Sequence, residues 1–123
     1  MAETVHLWVY GTLKAGGRLH HALRGASLMA RCRTVAGYQL LHLGWYPGLV
    51  RLKTSDLRDT VAGELYEVPA DMLKKLDEVE GAPTLFRREP VVLTDQAHHP
   101  QAYFYQGSTM GLLTVAGGEW PVG

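Results

Sequence analysis

VAGELYEVPADMLKKLDEVEGAPTLFRR, residues 61–88, is the stretch from which the rest of the chain is read. Residues 61–68 alternate as a strand, and residues 70–80 carry helical spacing until Gly81 and Pro83 end it. At 100° per residue from Met72, the apolar Leu73, Leu76 and Val79 fall at about 100°, 40° and 340°, in one arc with Met72 itself. Glu80 falls at about 80°, inside that arc, whereas Lys74, Lys75 and Glu78 fall at about 200°, 300° and 240°, toward solvent. A carboxylate on the apolar side of a helix that already has a polar face is a candidate functional group. Desolvation and the negative end of the helix dipole both push its pKa upward, which suits a proton carrier. The alternative is a helix-terminal side chain that snorkels to water.

With 123 residues, 46% of them hydrophobic, residues 1–123 suit one compact domain around a single core. Twelve basic and twelve acidic side chains cancel, so there is no electrostatic footprint for a nucleic acid or an anionic membrane. The first residues, MAETVHLWVYG, lack a basic segment followed by a long apolar run, and no stretch approaches the roughly 18 apolar residues of a membrane span. A soluble, cytoplasmic protein is expected. The single cysteine, Cys32, can form no internal disulfide, in keeping with a reducing compartment.

Working outward, residues 5–10 alternate Val5, Leu7 and Val9 with His6, Trp8 and Tyr10, the period of a half-buried strand. The segment GTLKAGG follows, in which Gly11, Gly16 and Gly17 allow backbone N–H groups to converge on an anion or a carbonyl oxygen. Its spacing fits neither a P-loop nor a dinucleotide fingerprint. Residues 18–23 read as one or two helical turns. Strands are expected at 28–35, 38–43, 46–52, 88–94 and 101–106, with polar turns at 56–59 and 95–100. Many short strands with one firm helix indicate an α+β domain built on a small mixed, curled or barrel-like sheet. The tail, GSTMGLLTVAGGEWPVG, has enough apolar surface in Leu112, Leu113, Val115 and Trp120 to dock on the body.

Other chemistries find little support. The pairs His20 with His21 and His98 with His99 are adjacent, and neighbours diverge in helix and strand alike, so no metal site is expected. Cys32 alternates toward the inside of its strand, where a thiol packs rather than reacts. Ser27, Ser55 and Ser108 lack the strand-to-helix elbow of a serine hydrolase.

In order along the chain, VYGTLKAGGRLHHAL, GYQLLHLGWYPGLV, VAGELYEV, LDEVEGAP with RRE after it, AYFYQG and the ending GGEW resemble the γ-glutamylcyclotransferase-like family, with its γ-glutamylamine cyclotransferase type and small bacterial members. The resemblance implies that family's fold. It also implies a substrate loop at Tyr10, Gly11, Thr12 and Leu13, and a proton acceptor at Glu80. Two positions depart from the pattern: Leu19 stands where Asn is common before His20, and Phe86 where Tyr is common after the acid.

The implied reaction releases 5-oxoproline from a γ-glutamyl amine or related amide. The substrate's own α-amine attacks the γ-carbonyl, so neither a protein nucleophile nor a cofactor is required. The expected partner is a small-molecule γ-glutamyl substrate, and nothing in the sequence sets the oligomeric state. A non-catalytic module that binds a γ-glutamyl metabolite in the same pocket is the alternative reading.

Overall fold

A computed structural model describes residues 3–53, 58–95 and 97–121. Ser55 and residues 56 and 57 of the turn expected at 56–59 lie outside the described residues, as does Gln96 in the turn at 95–100. Among the described residues, seven strands form one mixed sheet: β1 Thr4–Val9, β2 Ser27–Arg33, β3 Tyr38–His42, β4 Pro47–Arg51, β5 Ala62–Pro69, β6 Phe86–Pro90 and β7 Gln101–Tyr105. Their order is β2-β5-β1-β7-β4-β3, with β6 paired to β7. The sheet does not close into a barrel. Chain without strand structure occupies its ends instead: Val115 donates its N–H to Leu40 O and His42 to Leu113 O beside β3, while Thr94 donates to Arg33 O beside β2.

β7 positions the site. One of its edges is taken along its whole length by β6, from Phe86 opposite Tyr105 to Pro90 opposite Gln101. Two parallel partners share the other edge, β1 at Gln101 and β4 at Phe104. β1 therefore leaves β7 where β4 takes over. The Tyr10 hydroxyl fills that junction, donating to Tyr103 O at 2.7 Å and accepting from Leu49 N at 3.2 Å.

Both faces of β1 are buried from Leu7 to Val9, which corrects the expectation of a strand buried on one face only. Leu7 and Val9 join Tyr66, Val68, Leu76, Phe86 and Tyr103 in one core; Trp8 and Tyr10 join Leu40, Leu49, Leu65 and Phe104 in the other. Large aromatic residues at alternate positions read as a solvent face, but they have enough area to form a core of their own.

The helix is shorter than residues 70–80. Ala70–Met72 form a 3₁₀ turn, α1 spans Leu73–Val79, and Glu80 is its C-cap. Its end is fixed by two reverse hydrogen bonds, Ala82 N–H to Asp77 O at 2.9 Å and Gly81 N–H to Glu78 O at 3.1 Å. This closure needs a left-handed residue, and Gly81 supplies it at φ 65°. Leu76 is buried and Met72 and Leu73 pack beside it, as the wheel requires, but Val79 is 39% exposed. In α1 itself Glu80 lies about 40° from Leu76 and Val79 about 60° on the other side, at the edge of the buried arc.

Three further boundaries differ from expectation. The strand expected at 88–94 lies at Phe86–Pro90; beyond it Val91 and Leu93 are buried outside any strand, and Leu93 makes only an isolated bridge with Thr34. Of residues 18–23, His20–Leu23 form a 3₁₀ turn. In the tail, Val115 is buried and Trp120 packs on the core, whereas Leu113 is exposed. Among the described residues, no helix is long and apolar enough to cross a membrane.

Candidate active site

The turn after β1 is held by its carbonyls. Gly11 O accepts from Lys14 N at 3.0 Å, Thr12 O from Leu19 N at 2.9 Å, and Leu13 O from His20 Nδ1–H at 2.8 Å. Behind it, Ala15 N donates to Glu64 Oε1 at 2.8 Å, and Lys14 Nζ donates to Trp120 O at 2.7 Å. Gly11, Thr12 and Leu13 are buried, yet among the described residues none of the turn and loop hydrogen bonds is donated by their N–H groups. Buried N–H donors without an acceptor are rare and are satisfied by a ligand or by water.

These residues line a small pocket together with Trp8, Val9, Tyr10, Tyr46, Pro47, Glu80 and Tyr103. The structure thus brings together all five residues singled out in the sequence: Tyr10, Gly11, Thr12, Leu13 and Glu80. Glu80 is partly buried, and burial pushes its pKa up to about 7, against a usual 4.5. Desolvation is the cause to be named; the helix dipole is not needed to account for the shift. At that value Glu80 changes protonation in the neutral range, in the same pocket as Gly11, Thr12 and Leu13.

Tyr10 lines the pocket with its hydroxyl already engaged. Its hydroxyl proton is committed to Tyr103 O and its oxygen to Leu49 N, and burial, with the nearby Glu80 charge, pushes its pKa well up. Tyr10 anchors the turn, and the backbone that follows it lines the pocket. Gly11 is required for close approach and not for backbone freedom: a Cβ there would lie 2.7 Å from Pro47 Cγ. The Phe86 side chain is buried, packing against Tyr46 and Tyr105 with centroids at 6.2 and 5.9 Å.

The other candidates stand apart from the pocket. Cys32 is half-buried in a groove with Lys14, Arg31 and Glu64, and burial pushes its thiol up, the behaviour of a packing residue. The His98 ring packs tilted against that of His6, with centroids 4.6 Å apart, and His20 is spent on the turn. Among the described residues no three His, Cys, Asp or Glu side chains come together in a metal-binding group.

The model of the "Gamma-glutamyl cyclotransferase, AIG2-like" family matches residues 7–122. The chain belongs to that family. Relatives that the chain matches are named gamma-glutamylcyclotransferases and gamma-glutamylaminecyclotransferases. The chain is 41% identical over 75 residues to a gamma-L-glutamyl-butirosin B gamma-glutamyl cyclotransferase from Niallia circulans, an alignment covering 61% of this chain and 45% of that protein. To the human gamma-glutamylaminecyclotransferase it is 39% identical over 89 residues, 67% of this chain and 57% of the relative. The chain thus spans about half the length of these two relatives. The crystal structure of an AIG2-like protein from Mus musculus superposes with a TM-score of 0.71 at 29% identity, covering 87% of this chain and 79% of that one.

For this member of the cyclotransferase family, the sequence did not show Tyr46, Pro47 or Tyr103 in the pocket wall, nor Glu64 behind the turn. Tyr46 and Pro47 could have been found beside the Gly11 turn only through the pairing of β4 with β7. Glu64 does leave a trace, as a lone carboxylate in the otherwise apolar start of β5, where it is buried and accepts from Ala15 N–H and the Tyr66 hydroxyl.

Proposed function

We infer that the chain cyclises a γ-glutamyl amine or related amide, releasing 5-oxoproline and the free amine, with Glu80 as base and then acid. The observation that supports this best is the meeting, in one pocket, of a carboxyl poised near pH 7 and a turn whose buried N–H groups donate none of the turn and loop hydrogen bonds among the described residues. Ionised Glu80 takes a proton from the substrate's α-ammonium. The freed amine attacks the γ-carbonyl carbon, forming the ring C–N bond, and the carbonyl oxygen becomes an oxyanion facing the N–H groups of Gly11, Thr12 and Leu13. As the intermediate collapses, the bond to the leaving nitrogen breaks and Glu80 returns its proton to that nitrogen; the ring nitrogen gives its remaining extra proton to the departing amine, which leaves as an ammonium, and Glu80 ends ionised as it began. A positioned acid–base is worth about 10² to 10⁴ in rate and one oxyanion donor about 10² to 10³, so the set suffices for an intramolecular reaction.

The test is a panel of γ-glutamyl amines, amino acids and peptides incubated with the protein and read by mass spectrometry. At least one compound should yield 5-oxoproline and its free amine in equal amounts. A panel that binds, shown by a raised melting temperature, yet releases no 5-oxoproline would leave only the binding module.

A further inference from the structure

The segment LDEVEG and the arginines after it stand out in the sequence, but only Glu80 among them has been given a task. Asp77 lies one helical turn before Glu80. Its carboxylate is held from the sheet by two residues at once: Arg88 donates Nε–H to Oδ1 at 3.0 Å and Nη2–H to Oδ2 at 3.1 Å, and the Tyr103 hydroxyl donates to Oδ1 at 2.6 Å. Arg88 and Tyr103 are direct cross-strand partners in β6 and β7, so both point to the face that α1 covers. Arg88 is steadied in turn by Nη1–H to Gln101 Oε1 at 2.7 Å.

Tyr103 also carries the other half of the pocket. Its carbonyl accepts the Tyr10 hydroxyl, so its side chain grips the helix that bears Glu80 while its main chain grips the residue that opens the donor turn. The closed helix end from Asp77 to Ala82 leaves little slack between Asp77 and the acid. We propose that Asp77, clamped by Arg88 and Tyr103, is a positioning residue that sets the placement of Glu80 against the Gly11–Leu13 donors. This rests on the reaction proposed above. An error of about 1 Å in such a spacing can cost about 10² in rate.

Groups around Glu80 make the clamp readable. Tyr10 and Tyr103 line the pocket beside it, and burial pushes both phenols up, so they stay neutral through the neutral range. Burial also acts to raise the Asp77 carboxyl, but the hydrogen bonds from Arg88 and Tyr103 outweigh it and hold the group below its ordinary value, ionised. Tyr103→Phe is the decisive variant, because it removes one hydroxyl while leaving the ring, the carbonyl and every charge in place.

Two readings are taken on the full chain: kcat and KM on the best panel compound, and titration of the Glu80 carboxyl by carbon-13 NMR, assigned from the signal missing in Glu80→Gln. In Tyr103→Phe, kcat should fall about tenfold to a hundredfold with KM within about threefold. The Glu80 midpoint should drop by at least about one unit as the carboxyl gains solvent. Asp77→Asn combined with Tyr103→Phe should cost little more than either change alone, because both break one unit. If Tyr103→Phe does not fold, Arg88→Lys serves, keeping the charge but losing the two-pronged grip. A folded variant with unchanged kcat or an unchanged Glu80 titration overturns the proposal. A protein that never releases 5-oxoproline, but whose Glu80 titration moves in Tyr103→Phe, upholds the clamp and refutes the reaction.

Discussion

Glu80→Gln should lower kcat by about 10² to 10⁴ while leaving substrate affinity within about tenfold, since the amide keeps the shape but can neither take nor return a proton. Glu78→Gln is the control. Glu78 sits two residues earlier on the exposed side of the same helix end, and its loss should change kcat by less than about twofold. The same Glu80→Gln variant has a second signature, in stability. The Glu80 pKa is raised by burial to about 7 in the folded protein, against 4.5 when unconstrained. Below about pH 4.5 the acid is neutral in both states and its ionisation costs the fold nothing. From there to about pH 7 the unfolded chain ionises more readily, so stability is lost as pH rises, with a ceiling on the order of 3 kcal/mol at about 1.4 kcal/mol per unit. Glu80→Gln should therefore melt several degrees higher than the parent at about pH 8 and close to it at about pH 4.5. Equal losses of activity in Glu78→Gln and Glu80→Gln would remove the acid from the mechanism.

Gly11→Val should cost as much in kcat/KM, about a hundredfold or more, for a different reason. The added Cβ would lie 2.7 Å from Pro47 Cγ and 2.9 Å from Cδ, where the pyrrolidine ring is buried and has nowhere to retreat. The turn must then move away from β4, taking its N–H donors out of line with the γ-carbonyl. Forcing extra volume into a packed site costs about 1 to 3 kcal/mol of stability as well, so melting curves must accompany the kinetics. Gly11→Ala, with the smallest possible clash, should fall between the parent and Gly11→Val in both measurements. Thr12→Ser keeps the backbone N–H and should stay within about threefold. A folded Gly11→Val protein with unaltered kcat/KM would move the active site away from this turn.

The acid was legible because its signal is local. A single carboxylate in the apolar phase of a short helix that Gly81 and Pro83 terminate can be read from a few consecutive residues, and the structure puts Glu80 in the pocket. The turn was legible for the same reason, through Gly11, Gly16 and Gly17, although Gly11 is needed for its approach to Pro47 and not for a special backbone angle. What depends on long-range pairing was not legible. Trp8 and Tyr10 read as the outer face of β1 because nothing local announces that Leu40, Leu49 and Phe104 cover them. That the Tyr10 hydroxyl bridges Leu49 and Tyr103 was not legible, because both lie on strands far along the chain. Val79 fell out of the apolar arc because it lies at the arc's edge, about 60° from Leu76 on the side away from Glu80, in the last turn of α1. The last core residues before the 95–100 turn, Val91 and Leu93, alternate as a strand would, yet they pack from a loop because the β6 ladder ends at Pro90, paired with Gln101.

The pH dependence of kcat/KM on the best panel substrate tests most directly the claim that a desolvated Glu80 is the base. The substrate's ammonium must lose its proton to ionised Glu80, so activity should fall as pH drops, tenfold per unit, along a single limb with its midpoint near 7, the value to which burial raises Glu80. A profile flat through the neutral range, or a limb at or below the ordinary carboxylate value of about 4.5, would contradict it.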